Sequence, residues 1–232
     1  MQQKDRILIE TKNLRKIYNT GEIETVALNN VNLTVNTGEF IAIMGPSGCG
    51  KSTLLNLLGL IDNLTSGEYY FLGYEVSQCS ERKRSALRKK NISFIFQNFN
   101  LIDELTVFEN VELPLTYLKT PVSERKEKVR TALEQMNVYF KKDHFPHQLS
   151  GGQQQLIAIA RSLITNPVLI LADEPTGNLD SANGKDVMQI LSALNENGTS
   201  IVMVTHSSEC ADYSRRIVHL FDGHIVSEKI SQ

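Results

Sequence analysis

Tryptophan is absent, cysteine occurs only three times, and neither sign of charge dominates. Each shortage removes a class of protein. The scattered thiols Cys49, Cys79 and Cys210 build no disulfide framework and show no metal-ligand pairing, so they read as reduced thiols of a cytosolic chain. Lys plus Arg number 24 against 26 Asp plus Glu, a net charge of −2, which speaks against nucleic acid held by a broad basic field. Long apolar runs are also missing. Val168 to Ala172 and Ile201 to Val204 are strand-sized, far short of the ~20 residues that span a bilayer. The opening, Met1-Gln-Gln-Lys-Asp-Arg6, lacks the apolar core of a signal peptide. Work at a membrane would need another chain to supply the spanning part. What is present is an ordinary globular mixture, 41% hydrophobic and 22% charged over 232 residues, enough to bury a core without staples.

Strand-like runs lead the chain: Ile7 to Glu10, Val26 to Val35, and Phe40 to Met44. The last passes at once into a glycine-rich turn and an apolar helical stretch, Ser52 to Ile61. Another strand-like run, Ile92 to Phe96, stops at Gln97. Helical spacing follows, with Val129, Ala132, Leu133 and Met136 on one face and Leu156, Ile159, Ala160, Leu163 and Ile164 on another. After Pro167 come a strand (Val168 to Ala172), a helix with Val187, Ile190, Leu191 and Leu194 on one face, and a strand (Ser200 to Thr205). This alternation predicts an α/β fold with a mainly parallel sheet. Residues 98–165 read as a helical subdomain inserted into a single domain whose core is 1–97 and 166–232. The tail, Arg216 to Ile230, reads as a hairpin around Asp222-Gly223.

Gly45-Pro46-Ser47-Gly48-Cys49-Gly50-Lys51-Ser52, followed by Thr53, has the spacing of a P-loop between a strand and a helix. Backbone N–H groups in such a loop surround a phosphate, and the helix behind it adds its positive end. Lys51 reaches the β- and γ-phosphates, and the Ser52 hydroxyl is placed to ligate Mg²⁺. Val168 to Ala172 leads into Asp173-Glu174, two acids at the carboxyl end of a strand, where α/β sheets hold their ligands. Asp173 is the candidate Mg²⁺ holder and Glu174 the group that polarises water; a solvated turn or helix cap is the plainer reading. Leu149-Ser150-Gly151-Gly152-Gln153 is either a capped helix start or a second anion site at a helix N-terminus.

Taken in order, the P-loop, Gln97, Leu149 to Gln153, Asp173-Glu174, Asp180 and His206 resemble the nucleotide-binding subunit of an ABC transporter. Gly151-Gly-Gln-Gln-Gln155, Leu171 to Asp180 and Gly59-Leu60-Ile61-Asp62 are most similar to the MacB/LolD-like branch. The resemblance implies a P-loop NTPase (RecA-like) core with an N-terminal antiparallel β subdomain and an inserted α-helical signature subdomain. It implies ATP and Mg²⁺ as cofactors, with Tyr18 stacked on adenine, Gln97 sensing Mg²⁺ and the attacking water, and His206 at the γ-phosphate. It further implies a head-to-tail homodimer in the ATP-bound state. There Ser150, Gly151, Gly152 and Gln153 of one chain complete the partner's site and Asp180 crosses the interface. A membrane-spanning permease would hold the chain at the cytoplasmic face of the plasma membrane, touching Phe99 to Leu115 through Phe108, Val111 and Leu113.

For each there is a plainer role: a surface tyrosine, a polar strand end, a structural histidine, a helix cap at Asp180, core packing for the contact stretch. Leu156 stands where relatives usually carry Arg, which bears on packing and not on phosphate chemistry. The rival class is a soluble ABC-type ATPase: a chromosome or repair factor, which long coiled coils would mark, a translation factor, which a second cassette would mark, or an iron–sulfur assembly subunit; neither mark is in this sequence. A third reading, shared with the MacB/LolD-like branch, is a mechanical regulator that drives change in a membrane protein in place of export or lipoprotein release. Cys49 lies two residues before Lys51 at the positive end of a helix, which favours thiolate over thiol and predicts maleimide inactivation with MgATP protection. A buried inert thiol is the alternative.

Overall fold

In the computed structural model, which describes residues 6–21 and 23–230, the strands sort into two sheets. One is antiparallel and four-stranded, built from β1 (Ile7–Thr20), β2 (Ile23–Asn36), β4 (Ser66–Phe71) and β5 (Tyr74–Glu75) in the order β2-β1-β4-β5. The other contains β3 (Phe40–Met44), β6 (Ile92–Phe96), β7 (Leu169–Asp173), β8 (Ser200–Val204), β9 (Arg216–Phe221) and β10 (His224–Ile230). Its order is β10-β9-β3-β8-β7-β6, parallel except for β10.

The six-stranded sheet is covered on both faces, which is why its strands read as unbroken apolar runs. Successive residues of each strand feed opposite cores. Phe40, Ala42, Ile170, Ala172, Ile201 and Met203 join one cluster; Ile41, Ile43, Leu169, Leu171, Val202 and Val204 join the other. The first packs on α3 (Val107–Tyr117), α4 (Val122–Gln135), α5 (Gly151–Leu163) and α6 (Ser181–Glu196) through Val111, Val129, Ile157 and Leu191. The second packs on α1 (Lys51–Leu58) and the antiparallel sheet through Leu54, Leu58, Leu14 and Leu33.

Several expectations need correction. β1 runs well past Glu10 because Asn13, at φ 50, takes up a register shift against β2 and lets pairing resume at Leu14. The helix after the P-loop stops at Leu58, before Ile61, because Leu60 turns left-handed at φ 57. β4, β5 and α2 (Glu81–Asn91) were not legible as elements. α2 buries almost no apolar stripe; Glu81 in its first turn and Arg88, Lys89 and Lys90 in its last complement the helix dipole instead. In the stretch expected to touch a permease, Val107, Val111 and Leu115 are buried at 0–2% exposure against the core. Val111 therefore has no surface to offer, while Leu113, Pro114 and Tyr117 line a 620 Å³ groove with Phe94 and Phe96. The loop before α3 is fastened by the fully buried Asn110, whose Oδ1 accepts from Ile102 N and whose Nδ2 donates to the carbonyls of Ile102, Leu105 and Thr106.

Candidate nucleotide site

Sheet register assembles the site. Ile43 pairs with Val204, Val204 with Asp173, and Asp173 with Phe96, one row across β3, β8, β7 and β6. The residues just beyond that row are the P-loop, His206, Glu174 and Gln97, all at carboxyl ends of neighbouring parallel strands. Sequence distances of up to about 160 residues collapse into one edge.

In the P-loop, Gly50 has φ 102, and a Cβ there would lie 2.5 Å from the Ala27 carbonyl oxygen. At Gly45 a Cβ would lie 2.1 Å from Leu220 O. Neither position admits a side chain. The Lys51 ammonium donates to the carbonyls of Gly45 and Pro46, 2.8 Å each, so it is held inside the loop's own curve. A 530 Å³ cavity opens over this loop, lined by Ser47, Gly48, Gly50, Lys51, Ser52, Thr53, Glu174 and His206. Thr25, Val26 and Ala27 of β2 form its remaining wall. Nothing in their sequence marks them, since only the packing of β2 over the loop puts them there.

Glu174 has φ 46, a left-handed turn that costs of order 1 kcal/mol for a residue with a side chain. Its N–H is fixed by Val204 O at 2.9 Å, and its Oε2 lies 3.1 Å from His206 Nδ1. Burial raises the Asp173 carboxyl above the ordinary range, and the adjacent Glu174 charge adds to this, against the Ser52 hydroxyl bond and Lys51. A hydroxyl and two carboxylates thus stand together at this edge, hard oxygen donors that suit Mg²⁺. Among the described residues no group of three His, Cys, Asp or Glu is arranged to hold a metal alone. Mg²⁺ characteristically takes one or two carboxylates and draws its other ligands from phosphate and water.

The remaining candidates stand outside that cavity. Tyr18 is 39% exposed; its hydroxyl donates to Asp62 Oδ2 at 2.9 Å, and Lys16 Nζ lies 4.7 Å from its ring centroid. Ser150 Oγ accepts from Gln153 N at 3.3 Å and the Gln153 side chain returns to Ser150 N, a capping box at the start of α5. Gly152 packs on α6, where a Cβ would stand 2.4 Å from Asn183 Oδ1. Asp180 caps α6 through the N–H groups of Ala182 and Asn183, bonds that hold its carboxyl below the usual range. Leu156 packs against the core at partial exposure, so an apolar side chain suits its surroundings. Unforeseen in the sequence is Gln155, fully buried, which donates 2.6 Å to Pro175 O and ties α5 to the loop after Glu174.

Cys49 corrects the expectation that reagents reach this thiol. Its side chain is 6% exposed and joins the core cluster beneath the loop, because the P-loop turns backbone, not this side chain, toward the cavity. Maleimide at neutral pH is therefore expected to spare Cys49 and leave ATPase activity intact with or without MgATP, while the half-buried Cys79 takes the label. Peptide mass spectrometry reads this directly, and label on Cys49 with loss of activity would show that the thiol is reached.

Comparison with known proteins agrees with this geometry. Residues 28–177 match the sequence model of the ABC transporter family. The chain is 53% identical over 219 residues to the ABC transporter ATP-binding protein MJ1508 of Methanocaldococcus jannaschii, covering 94% of this chain and 98% of that protein. It is 47% identical over 224 residues to the macrolide export ATP-binding/permease protein MacB of Syntrophobacter fumaroxidans, spanning 95% of this chain but only 31% of that longer protein. The ATP-binding cassette MJ0796, solved as a dimer bound to ADP and phosphate, superposes with a TM-score of 0.91 at 43% identity over 97% of this chain and 99% of that one. The chain belongs to the ABC transporter family, as an ATP-binding cassette that hydrolyses ATP.

Proposed function

We propose that this chain is the ATP-driven subunit of a MacB/LolD-like transporter, working as a head-to-tail homodimer beneath a separate membrane-spanning permease. One observation carries the dimer. The P-loop, Glu174 and His206 share one cavity, with Asp173 bonded to Ser52 at its edge, whereas Ser150 to Gln153 and Asp180 lie outside it in the same chain, with their helix starts capped by their own side chains. A second copy would supply them to this cavity. In this reading residues 98–165 are a helical arm on a core formed by 1–97 and 166–232, all within one domain.

Lys51 exchanges its two carbonyl partners for phosphate oxygens as nucleotide enters the loop. Ser52, Asp173 and Gln97 would hold Mg²⁺, which supplies charge neutralisation on the β- and γ-phosphates when bound. Glu174 takes the proton of the attacking water, and His206, beside it, places that water and the γ-phosphate. Tyr18 offers one ring face to the adenine. ATP binds the closed dimer preferentially, so its binding free energy closes the halves and hydrolysis releases them.

Among the described residues no helix is long and apolar enough to cross a membrane. In the MacB relatives the matched segment is about a third of a chain named ATP-binding/permease, which supports a permease as the partner of this cassette. The groove floored by Phe94 and Phe96 and rimmed by Leu113 and Tyr117 is the face we assign to it, at the cytoplasmic side of the plasma membrane. Affinity purification of the tagged chain from detergent-solubilised membranes tests this. A polytopic membrane protein should co-purify and alter the ATPase rate, and a chain that stays wholly in the soluble fraction would overturn the assignment.

A further inference from the structure

Gln97 does not stand alone at the end of β6. Its Nε2 donates to Asn178 Oδ1 at 3.3 Å, and Asn178 Nδ2 donates back to Gln97 O at 3.0 Å and to Asn98 Oδ1 at 2.8 Å. The two residues are 81 positions apart and meet only because β6 and β7 are neighbours. The Gln97 side chain also lies along Gly177, where a Cβ would stand 2.7 Å from Gln97 Nε2. Beyond it, Phe99 and Asn100 are both left-handed, at φ 59 and φ 50, and Arg161 of α5 clamps their carbonyls at 2.8 and 2.6 Å. The main chain on both sides of the Gln97 side chain is therefore fixed.

A terminal amide has two ends of nearly equal size and opposite chemistry, one accepting and one donating. Only the oxygen end ligates a hard cation such as Mg²⁺. Asn178 commits its Nδ2 to two oxygen acceptors, so its own oxygen must face the Gln97 side chain. That oxygen accepts and cannot donate, so it takes the Nε2 end of Gln97 and leaves Oε1 free of protein partners among the described residues. We propose that Asn178 is the positioning residue for Gln97, setting its carboxamide so that oxygen rather than nitrogen is offered to the nucleotide's metal ion. The inference rests on Gln97 being a metal contact.

Mn²⁺ serves as the probe, with its free concentration read by electron paramagnetic resonance in the presence of saturating ATP. Asn178→Leu should weaken Mn²⁺ binding to the ATP-loaded protein by ~10-fold, the scale of lost outer-shell partners, while metal-free ATP binding stays unchanged. Gln97→Ala should weaken it similarly, and the double variant should be no worse than either single one. Gln97→Glu separates orientation from mere packing, because a carboxylate presents oxygen at both ends. In that background Asn178→Leu should cause no further loss. Wild-type affinity in Asn178→Leu, additive losses in the double variant, or a full loss from Asn178→Leu beside Gln97→Glu would each overturn the proposal. An unchanged affinity in Gln97→Ala would instead remove the metal role of Gln97, and the proposal with it.

Discussion

Glu174→Gln is expected to bind MgATP like the parent chain, to turn over ~10³-fold more slowly, and to accumulate as a nucleotide-locked dimer; a lost general base typically costs 10² to 10⁴ in rate. The substitution is nearly isosteric. It preserves the backbone at φ 46, the bond from Glu174 N to Val204 O, and a polar atom facing His206 Nδ1. An amide oxygen, however, has almost no affinity for the proton that attacking water must lose. Lys51, Ser52 and Asp173 are untouched, so affinity for nucleotide should persist while the bridging γ-phosphate stays uncleaved. Size-exclusion chromatography with light scattering, with and without MgATP, reads the oligomer, and phosphate release reads the rate. A variant that stays monomeric under saturating MgATP while the parent dimerises would sink the trapping idea. Near-parental turnover would remove Glu174 from its role.

What the sequence revealed and what it hid follow from one distinction. Chemistry written in contiguous residues was legible: the P-loop, the acids closing β7, the Ser150 cap. Strands buried on both faces were legible too, because continuous apolar runs such as Leu169 to Ala172 have no other economical use. Elements with weak local signals were not. α2 is nearly all charge, β5 has two residues, and the bulge at Asn13 breaks the alternation on which a long β1 would be recognised. Partners made by tertiary placement were invisible as well. Thr25 to Ala27 enter the cavity wall, Gln155 reaches Pro175 O, and Asn178 meets Gln97 only through the register of β6 against β7. Cys49 failed for a different reason. Its neighbours along the chain predict a field, but a P-loop cradles phosphate with backbone, and the direction of this side chain is set by the core below it.

Mixing two inactive variants should restore activity, and this outcome decides how the signature residues serve. Ser150→Arg removes the hydroxyl that caps α5, a loss of about 1 kcal/mol, and places a long charged side chain at the helix start beside Gly151. The local cavity over the P-loop contains none of residues 150–153, so monomeric ATP binding should be unaffected while hydrolysis is lost. Lys51→Ala removes the ammonium from the P-loop itself, so that chain fails to hold phosphate in its own cavity. Neither homodimer has a complete site. In a head-to-tail heterodimer, the intact P-loop of the Ser150→Arg chain faces the intact signature of the Lys51→Ala chain, and one composite site is whole. The other carries both lesions. Equal mixing yields about half heterodimers, each with one working site of two, so about a quarter of parental activity should return if sites act independently. If the signature served its own chain's nucleotide, both lesions would stay with their own sites and the mixture would remain dead. Loss of ATP binding by monomeric Ser150→Arg would likewise end the assignment, because residue 150 would then belong to the cavity of its own chain.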